Sequence, residues 1–264
     1  MLYNQVEGYY YNKGVAMCFF YALSHTAQSL KNRYQLKLDF NFELEPELTE
    51  AKYYISGFEF PRMPVITDKQ PDRLQGFTWG LIPFWVKSQT EALDIRAHTL
   101  NARSDTVFTK PSFRNAIRER RCLIPADGFY EWREFNGKKY PYFIYLKSKE
   151  IFSFAGIWEE WTDRSTGEVL KTFSILTTDA NPLLEQIHNT KKRMPVILPK
   201  EQEKDWLRND LSTDGIMTLT KPLDDVLMEA QPISKLITSK SVNRNVPAVQ
   251  EAFDYPELSK VKMI

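Results

Sequence analysis

Four short clusters hold the side chains best suited to chemistry at a carbonyl carbon. They are Met17-Cys18, Leu100-Asn101-Ala102-Arg103-Ser104-Asp105, Ala126-Asp127-Gly128-Phe129-Tyr130-Glu131-Trp132, and His188 followed by Arg193-Met194-Pro195-Val196-Ile197-Leu198. Cys18 is the nucleophile of such a set. Glu131 and His188 can move protons, and the amide of Asn101 can hold an oxygen or orient the thiol. Each residue also has a plain structural reading. Cys18 lies in an apolar run, where a free cysteine is commonly a packing residue. Asn101 can cap the turn after it. Glu131, alternating with Tyr130 and Trp132, suits the wet face of a strand, and His188 follows Ile187 at a helix end. Spacing alone leaves both readings open. The two cysteines and three histidines show no metal-ligand spacing; no metal and no cofactor are expected.

The elements that must position these groups are mostly strands. An apolar run spans Met17 to Leu23, and strand-like pieces follow near Tyr53–Phe58 and Leu74–Ile82. Ser24 is expected to cap a helix reaching about Leu38, on the helical spacing of Ala27, Leu30 and Tyr34. Pro111 marks the start of a second helix over Ser112–Arg120, before a strand at Cys122–Ile124. Asn136-Gly137 predicts a hairpin joining Phe129–Glu134 to Tyr140–Leu146. Ser165-Thr166-Gly167 predicts another, joining Phe152–Trp161 to Leu170–Thr177. Short helices are expected at Pro182–Ile187 and Lys200–Arg208. Turns join neighbouring strands and no βαβ rhythm appears, so the fold class is α+β, an antiparallel sheet curled into a barrel or sandwich.

The 264 residues, 42% of them hydrophobic, suffice for one core. A single domain over 17–264 is expected, with residues 1–16 set apart as a short, Tyr-rich, aperiodic extension. Two cysteines make no disulfide framework, which points to a reducing cytoplasm. The apolar stretch Val15–Leu23 lacks the basic flank and small-residue cleavage site of a secretion signal, and no run reaches membrane-spanning length. A net charge of +1 excludes a whole-chain basic signature, so any nucleic-acid contact must be local. Lys110 to Lys147 supplies one such patch, with nine Lys or Arg against four Asp or Glu, whereas Asp39–Glu50 holds five acids and no base.

At these clusters the chain resembles the SOS-response-associated peptidase (SRAP) family, also described as abasic-site processing proteins. Further matching stretches are Trp79-Gly80-Leu81-Ile82-Pro83-Phe84-Trp85, Arg121-Cys122-Leu123-Ile124-Pro125, Ala155-Gly156-Ile157-Trp158 and Thr177-Thr178-Asp179-Ala180-Asn181. They occur in the family's order over about residues 17 to 235. The resemblance implies a curled, barrel-like antiparallel core flanked by short helices. It implies a monomer that binds single-stranded DNA at abasic sites in the DNA-damage response. A cysteine made N-terminal would join the open deoxyribose aldehyde as a thiazolidine. Carried over residue by residue, Cys18 is the nucleophile, Asn101 its positioning partner, Glu131 the proton shuttle and His188 an acid or base near the sugar. Arg103, Trp132 and Arg193 would line the DNA path, with Trp85 a further candidate. The peptidase name refers to removal of the residues ahead of the cysteine.

This chemistry is coherent. An α-amine with a pKa of about 7.7–8.0 is partly neutral at cellular pH and forms an imine with an aldehyde. A thiol on the adjacent carbon then closes a five-membered ring, an arrangement only an N-terminal cysteine offers. Four departures from the family pattern stand out. Residues 1–16 precede Met17, so the active form is expected to lack them, through a start at Met17 or through cleavage. Phe19 and Phe20 follow the cysteine where Gly-Arg is usual, Asn189-Thr190-Lys191-Lys192 lengthens the gap between His188 and Arg193, and Asp105 stands where Glu is common. Two alternatives remain beside this reading: a broader cysteine peptidase using Cys18, His188 and Glu131, and a non-covalent single-strand-binding module with a structural Cys18.

Overall fold

The computed structural model describes residues 18–38 and 45–258. The expected extension over residues 1–16, and Met17 itself, lie outside them. Among the described residues the strands, in chain order, are β1 (Phe20–Leu23), β2 (Lys37–Leu38), β3 (Lys52–Ser56), β4 (Arg62–Thr67), β5 (Gln70–Trp79), β6 (Asn101–Arg103) and β7 (Arg121–Ala126). They continue with β8 (Gly128–Phe135), β9 (Lys138–Leu146), β10 (Phe152–Thr162), β11 (Val169–Asp179), β12 (Arg193–Pro195), β13 (Ile197–Leu198) and β14 (Met228–Pro232). The helices are α1 (Ala27–Tyr34), α2 (Pro46–Thr49), α3 (Gln89–His98), α4 (Ala116–Glu119), α5 (Pro182–Ile187), α6 (Glu203–Trp206) and α7 (Thr213–Leu219).

Five strands close a barrel. They run β11–β10–β7–β4–β5, and β5 returns to pair β11 in parallel, Thr172 opposite Thr78 and Phe173 opposite Trp79. Closure removes the exposed edges an open sheet would leave. A second, antiparallel sheet of order β14–β9–β8–β1–β3 lies against it. Aromatic rings weld the two: Tyr21 of β1 meets Trp79 and Phe154 edge-on at 5.3 and 5.8 Å, and Phe129 of β8 meets Phe154 at 6.1 Å. Three tryptophans are fully buried, and each indole N–H is satisfied: Trp79 by the carbonyl of Leu100, Trp161 by that of Val86 and Trp206 by that of Cys122. Satisfied donors let these large side chains contribute their full apolar burial.

The fold is thus α+β with a curled, mostly antiparallel core, as the sequence leads one to expect. Both hairpins are present. Asn136 and Gly137 take φ of 49° and 70°, the paired left-handed conformations a tight turn needs. Helix α5 begins at the expected residue, capped by the Asn181 side chain with Pro182 in its first turn. Several expectations are corrected. The helix after β1 is shorter than Ser24–Leu38: Thr26 caps it, Gln35 ends it in the left-handed region, and Lys37–Leu38 pairs with β5 instead. Ser24 turns away to bind Asp127. The Ser112–Arg120 helix reduces to Ala116–Glu119, the residues before it forming turns. The strand expected over Leu74–Ile82 starts at Gln70 and stops at Gly80, whose φ of 105° bends the chain beside Phe60. Strand β4 and helix α3 were not expected: Pro64 interrupts the first pattern, and α3 buries only Ala92.

Candidate active site

Cys18 stands just ahead of β1, buried at 4% exposure, and Phe19 beyond it accepts a hydrogen bond from the Gly57 N–H through its carbonyl. Phe19 and Phe20, which stand where Gly-Arg is usual, are packing residues: Phe19 lies tilted against Phe58 and Phe20 stacks on Tyr54. Three more elements converge on the thiol. Strand β6 brings Asn101, whose side-chain nitrogen donates to the Cys18 carbonyl at 3.1 Å. Asn101 therefore holds the cysteine backbone rather than capping a turn. Strand β8 brings Glu131, which is 1% exposed. Alternation does separate it from Tyr130 and Trp132, but both faces of this sheet are covered, so the face that could have been wet is the interior.

Helix α5 ends on His188, also 1% exposed, whose backbone N–H closes the last turn onto Leu184. Its Nδ1 lies 2.8 Å from the Arg193 carbonyl oxygen, which can only accept, so Nδ1 carries a hydrogen. The other ring nitrogen, Nε2, therefore faces Glu131 Oε2, at 3.8 Å. That is ion-pair range and too long for a direct hydrogen bond.

Electrostatics in this cluster follow from burial. Desolvation pushes the Cys18 thiol well above its ordinary range, Glu131 adds to the rise, and Arg193 opposes it. The Glu131 carboxyl is also raised by burial, against the opposing pull of His188, the Cys18 thiol and the Trp132 N–H. Cys18 is thus a protonated thiol beside a buried carboxyl. Three buried polar atoms here lack a hydrogen-bond partner among the described residues: Asn101 Oδ1, Glu131 Oε1 and Arg193 Nε. Each such atom costs about 1–3 kcal/mol when nothing meets it. All three belong to residues that contact Cys18 or act on its thiol electrostatically.

The remaining sequence-nominated residues fall in different places. Arg193, on β12, is 6% exposed and held inward, donating to Asp179 at 3.1 Å and to the Thr177 carbonyl at 2.9 Å. It reaches the site as a buried charge and through its carbonyl, not as a free surface cation. Arg103 is half-exposed and forks onto Asp105, which it draws below the ordinary carboxylate range. Trp132 points to the face opposite Glu131, half-buried and edge-on to Phe20 at 5.3 Å. Trp85 is 43% exposed beside Phe84, on the turn after β5 next to a small separate cluster of Ile82, Val86, Ala92 and Trp161. The structure therefore gathers Cys18, Asn101, Glu131, His188 and Arg193, and leaves Trp85 apart from them.

One residue escaped the sequence reading. Asn189 follows His188 and makes two reciprocal hydrogen bonds with Glu134 on β8, donating to its carbonyl at 2.8 Å and accepting from its N–H at 3.1 Å. Its amide acts as a strand partner, clamping the His188 turn to the strand that carries Glu131. The lengthened segment is absorbed as a turn, with Lys192 at φ 50° and Lys191 and Lys192 both donating to the His188 carbonyl. Nothing in periodicity marks Asn189; its only signal was its place in an unusual gap.

The barrel-cored α+β chain thus gathers a buried cysteine, a buried carboxyl and a buried histidine in one place. The family described as SOS response associated peptidase (SRAP) matches residues 17–240, and the chain belongs to it. The abasic site processing protein YoqW of Bacillus subtilis (strain 168) is 40% identical over 207 residues, covering 76% of this chain and 89% of that protein. The abasic site processing protein HMCES of Gallus gallus is 32% identical over 187 residues, 63% of this chain and 54% of that longer protein. A crystal structure of a protein from Bacteroides thetaiotaomicron superimposes with a TM-score of 0.84 at 43% identity, covering 89% of this chain and all of that one.

Proposed function

We propose that this chain captures abasic sites in single-stranded DNA through a thiazolidine formed by Cys18, once residues 1–17 have been removed and its amine is free. One observation carries the reading: Asn101 grips the Cys18 backbone while Glu131 meets its thiol and is itself faced by His188. The names of the YoqW and HMCES relatives point to the same substrate.

The steps balance with the groups in place. The cyclic sugar opens when its hydroxyl loses a proton and its ring oxygen gains one, work for Glu131 and His188. The Cys18 amine adds to the exposed aldehyde, and water leaves to give an imine. The thiol sulfur then adds to the imine carbon, and its proton passes by way of Glu131 to the nitrogen, which becomes a neutral secondary amine. One water is lost overall. A carboxyl positioned to accept and return this proton is worth about 10²–10⁴-fold in rate through general acid–base catalysis. In this reading Arg103 meets a phosphate after exchanging Asp105, Trp132 supports a base, and Arg193 acts from beneath the site. Trp85 and Phe84 form a separate exposed aromatic pair.

A general cysteine peptidase fits less well. Such enzymes start from a thiolate favoured by nearby positive charge, whereas burial and Glu131 hold Cys18 protonated. A purely structural Cys18 would leave the three unpartnered polar atoms around it unexplained. Replacing Cys18 with Ser tests the proposal. Heat-stable DNA adducts are expected to vanish while reversible single-strand binding stays within twofold; adducts surviving in Cys18→Ser would overturn it.

A further inference from the structure

Arg96, in the last turn of α3, is a half-buried guanidinium without a counter-ion among the described residues. It lies 4.3 Å over the Phe60 ring. Its Nε is buried with no hydrogen-bond partner, and its terminal nitrogens reach solvent without meeting an acid. Burial alone pushes its pKa down to about 10, with no carboxylate opposing the fall, so it stays charged at neutral pH. Other half-buried or buried arginines are paired: Arg33 with Glu203, Arg120 with Glu159 and Arg193 with Asp179. The acids close to Arg96 in the fold are committed or turned away. Glu59, beside Phe60, lies 3.7 Å from Arg244, and Asp94, two residues back on α3, belongs to another helix face. The contact is held by unusual backbone. Phe60 takes a left-handed φ of 48° and Gly80 a φ of 105°. A Cβ on Gly80 would stand 3.1 Å from both the Arg96 Cβ and the Phe60 ring, so glycine is what lets α3 press Arg96 onto Phe60. The Thr99 hydroxyl fastens the end of α3 by donating to the Leu81 carbonyl at 2.6 Å. Strain held in place this way clusters at functional sites.

Both sides of this contact are tied to Cys18. Gly57, three residues before Phe60, donates to the Phe19 carbonyl at 2.9 Å, and Phe58 meets the Phe19 ring at 4.7 Å. Arg96 precedes by five residues Asn101, which holds the Cys18 carbonyl. That stretch, half of it helical, spans roughly 10–15 Å. We propose that Arg96, laid flat on Phe60, binds a backbone phosphate of the single strand one or two nucleotides from the abasic sugar. The proposal rests on the reading of this chain as a single-strand binder. A guanidinium stacked on a ring keeps its edge N–H groups free, and that planar fork matches two phosphate oxygens. An unpaired, half-buried charge is a cost to the free protein that an arriving anion removes. Phe20 stands where an arginine is usual after the cysteine, and Arg96 supplies a cation from a different element. The turn that begins at Gly80 also carries exposed Trp85, so one segment brings a flat ring and the seat for a cation, the two parts of a single-strand path.

The test is fluorescence anisotropy with a single-stranded oligonucleotide carrying a tetrahydrofuran abasic analogue, titrated at several salt concentrations. The analogue has no aldehyde, so only reversible binding is read. Arg96→Met keeps an unbranched side chain over Phe60 and removes the charge. Loss of a charged hydrogen bond predicts about tenfold weaker binding at low salt. The slope of log affinity against log salt is expected to become shallower by about 0.7, the value of one phosphate on a single strand. Arg96→Lys keeps the charge without the fork; it is expected to keep the slope and lose part of the affinity. The Tm of Arg96→Met is expected to hold, because the charge it removes has no partner in the fold. If that variant melts early, Arg96→Lys decides: weaker binding at wild-type Tm supports the proposal, and wild-type affinity overturns it. Unchanged affinity and slope in Arg96→Met overturn the proposal and leave the reading of the Cys18 site intact. No binding of the oligonucleotide by the wild-type protein overturns the single-strand reading, and this proposal with it.

Discussion

His188 stands between two oxygens: its Nδ1 is fixed by the Arg193 carbonyl at 2.8 Å, which turns Nε2 toward the Glu131 carboxyl at 3.8 Å. A proton arriving on either residue is felt by the other. Glu131→Gln keeps the shape and removes the base. The capture rate is expected to fall about 10²–10⁴-fold, with reversible DNA binding within twofold, in a single-turnover assay. A fall of less than tenfold would mean that Glu131 moves no proton.

The same substitution has a thermal signature. Burial holds the Glu131 carboxyl above its ordinary range, so the folded state binds this proton more tightly than the unfolded chain. Its contribution to stability is complete below the ordinary carboxylate pKa of about 4.3 and is lost as pH rises through the raised folded value. The wild-type Tm is therefore expected to fall relative to that of Glu131→Gln as pH increases across that interval. Parallel Tm curves would contradict a raised carboxyl.

Thiol reactivity reports the same electrostatics. Burial and the Glu131 charge keep Cys18 protonated, and burial does the same for Cys122. In native protein both are expected to react with iodoacetamide more slowly than an unfolded control. Glu131→Gln is expected to speed Cys18 several-fold and leave Cys122 unchanged, read by peptide mass mapping.

Asn101 and Asn189 position rather than react. Asn101→Ala removes one hydrogen bond to the Cys18 carbonyl, worth about 1 kcal/mol, or roughly a fivefold slower capture. Asn101→Asp places an acceptor against that carbonyl and is expected to be slower still. Asn189→Ala removes both bonds to Glu134. Capture is expected to slow about tenfold at unchanged DNA affinity, with faster hydrogen exchange at the Glu134 amide. Asn189→Asp, which keeps only the acceptor, falls between. Unchanged rates in Asn189→Ala would reduce this contact to loop packing.

Local chemistry made much of this fold legible. Asn136-Gly137 and Asn181-Pro182 act through their own backbone preferences, and both elements stand where those residues put them. What was hidden depends on distant partners. Ser24 looks like a cap until Asp127 is folded against it, and Glu131 looks solvated until the barrel covers its face. Barrel closure through β5 and β11 joins residues about a hundred positions apart, which no local period records. For the site, Cys18, Asn101, Glu131 and His188 were nominated from residue type and family resemblance, and the fold brings all four together. The buried setting of Arg193 was less visible, because the distant Thr177 backbone holds its guanidinium inward while exposed Asp179 pairs with its other end.

The most direct test of covalent capture by Cys18 compares two proteins, one starting at Cys18 and one retaining residues 1–17. Each is mixed with single-stranded DNA carrying one abasic site and weighed by intact mass spectrometry without a reducing trap. The account predicts a heat-stable one-to-one adduct, lighter than its components by one water, from the protein that starts at Cys18. The longer protein is expected to form that adduct only as material cleaved before Cys18 accumulates. An adduct on the uncleaved longer chain, or none on the chain that starts at Cys18, would contradict the thiazolidine mechanism.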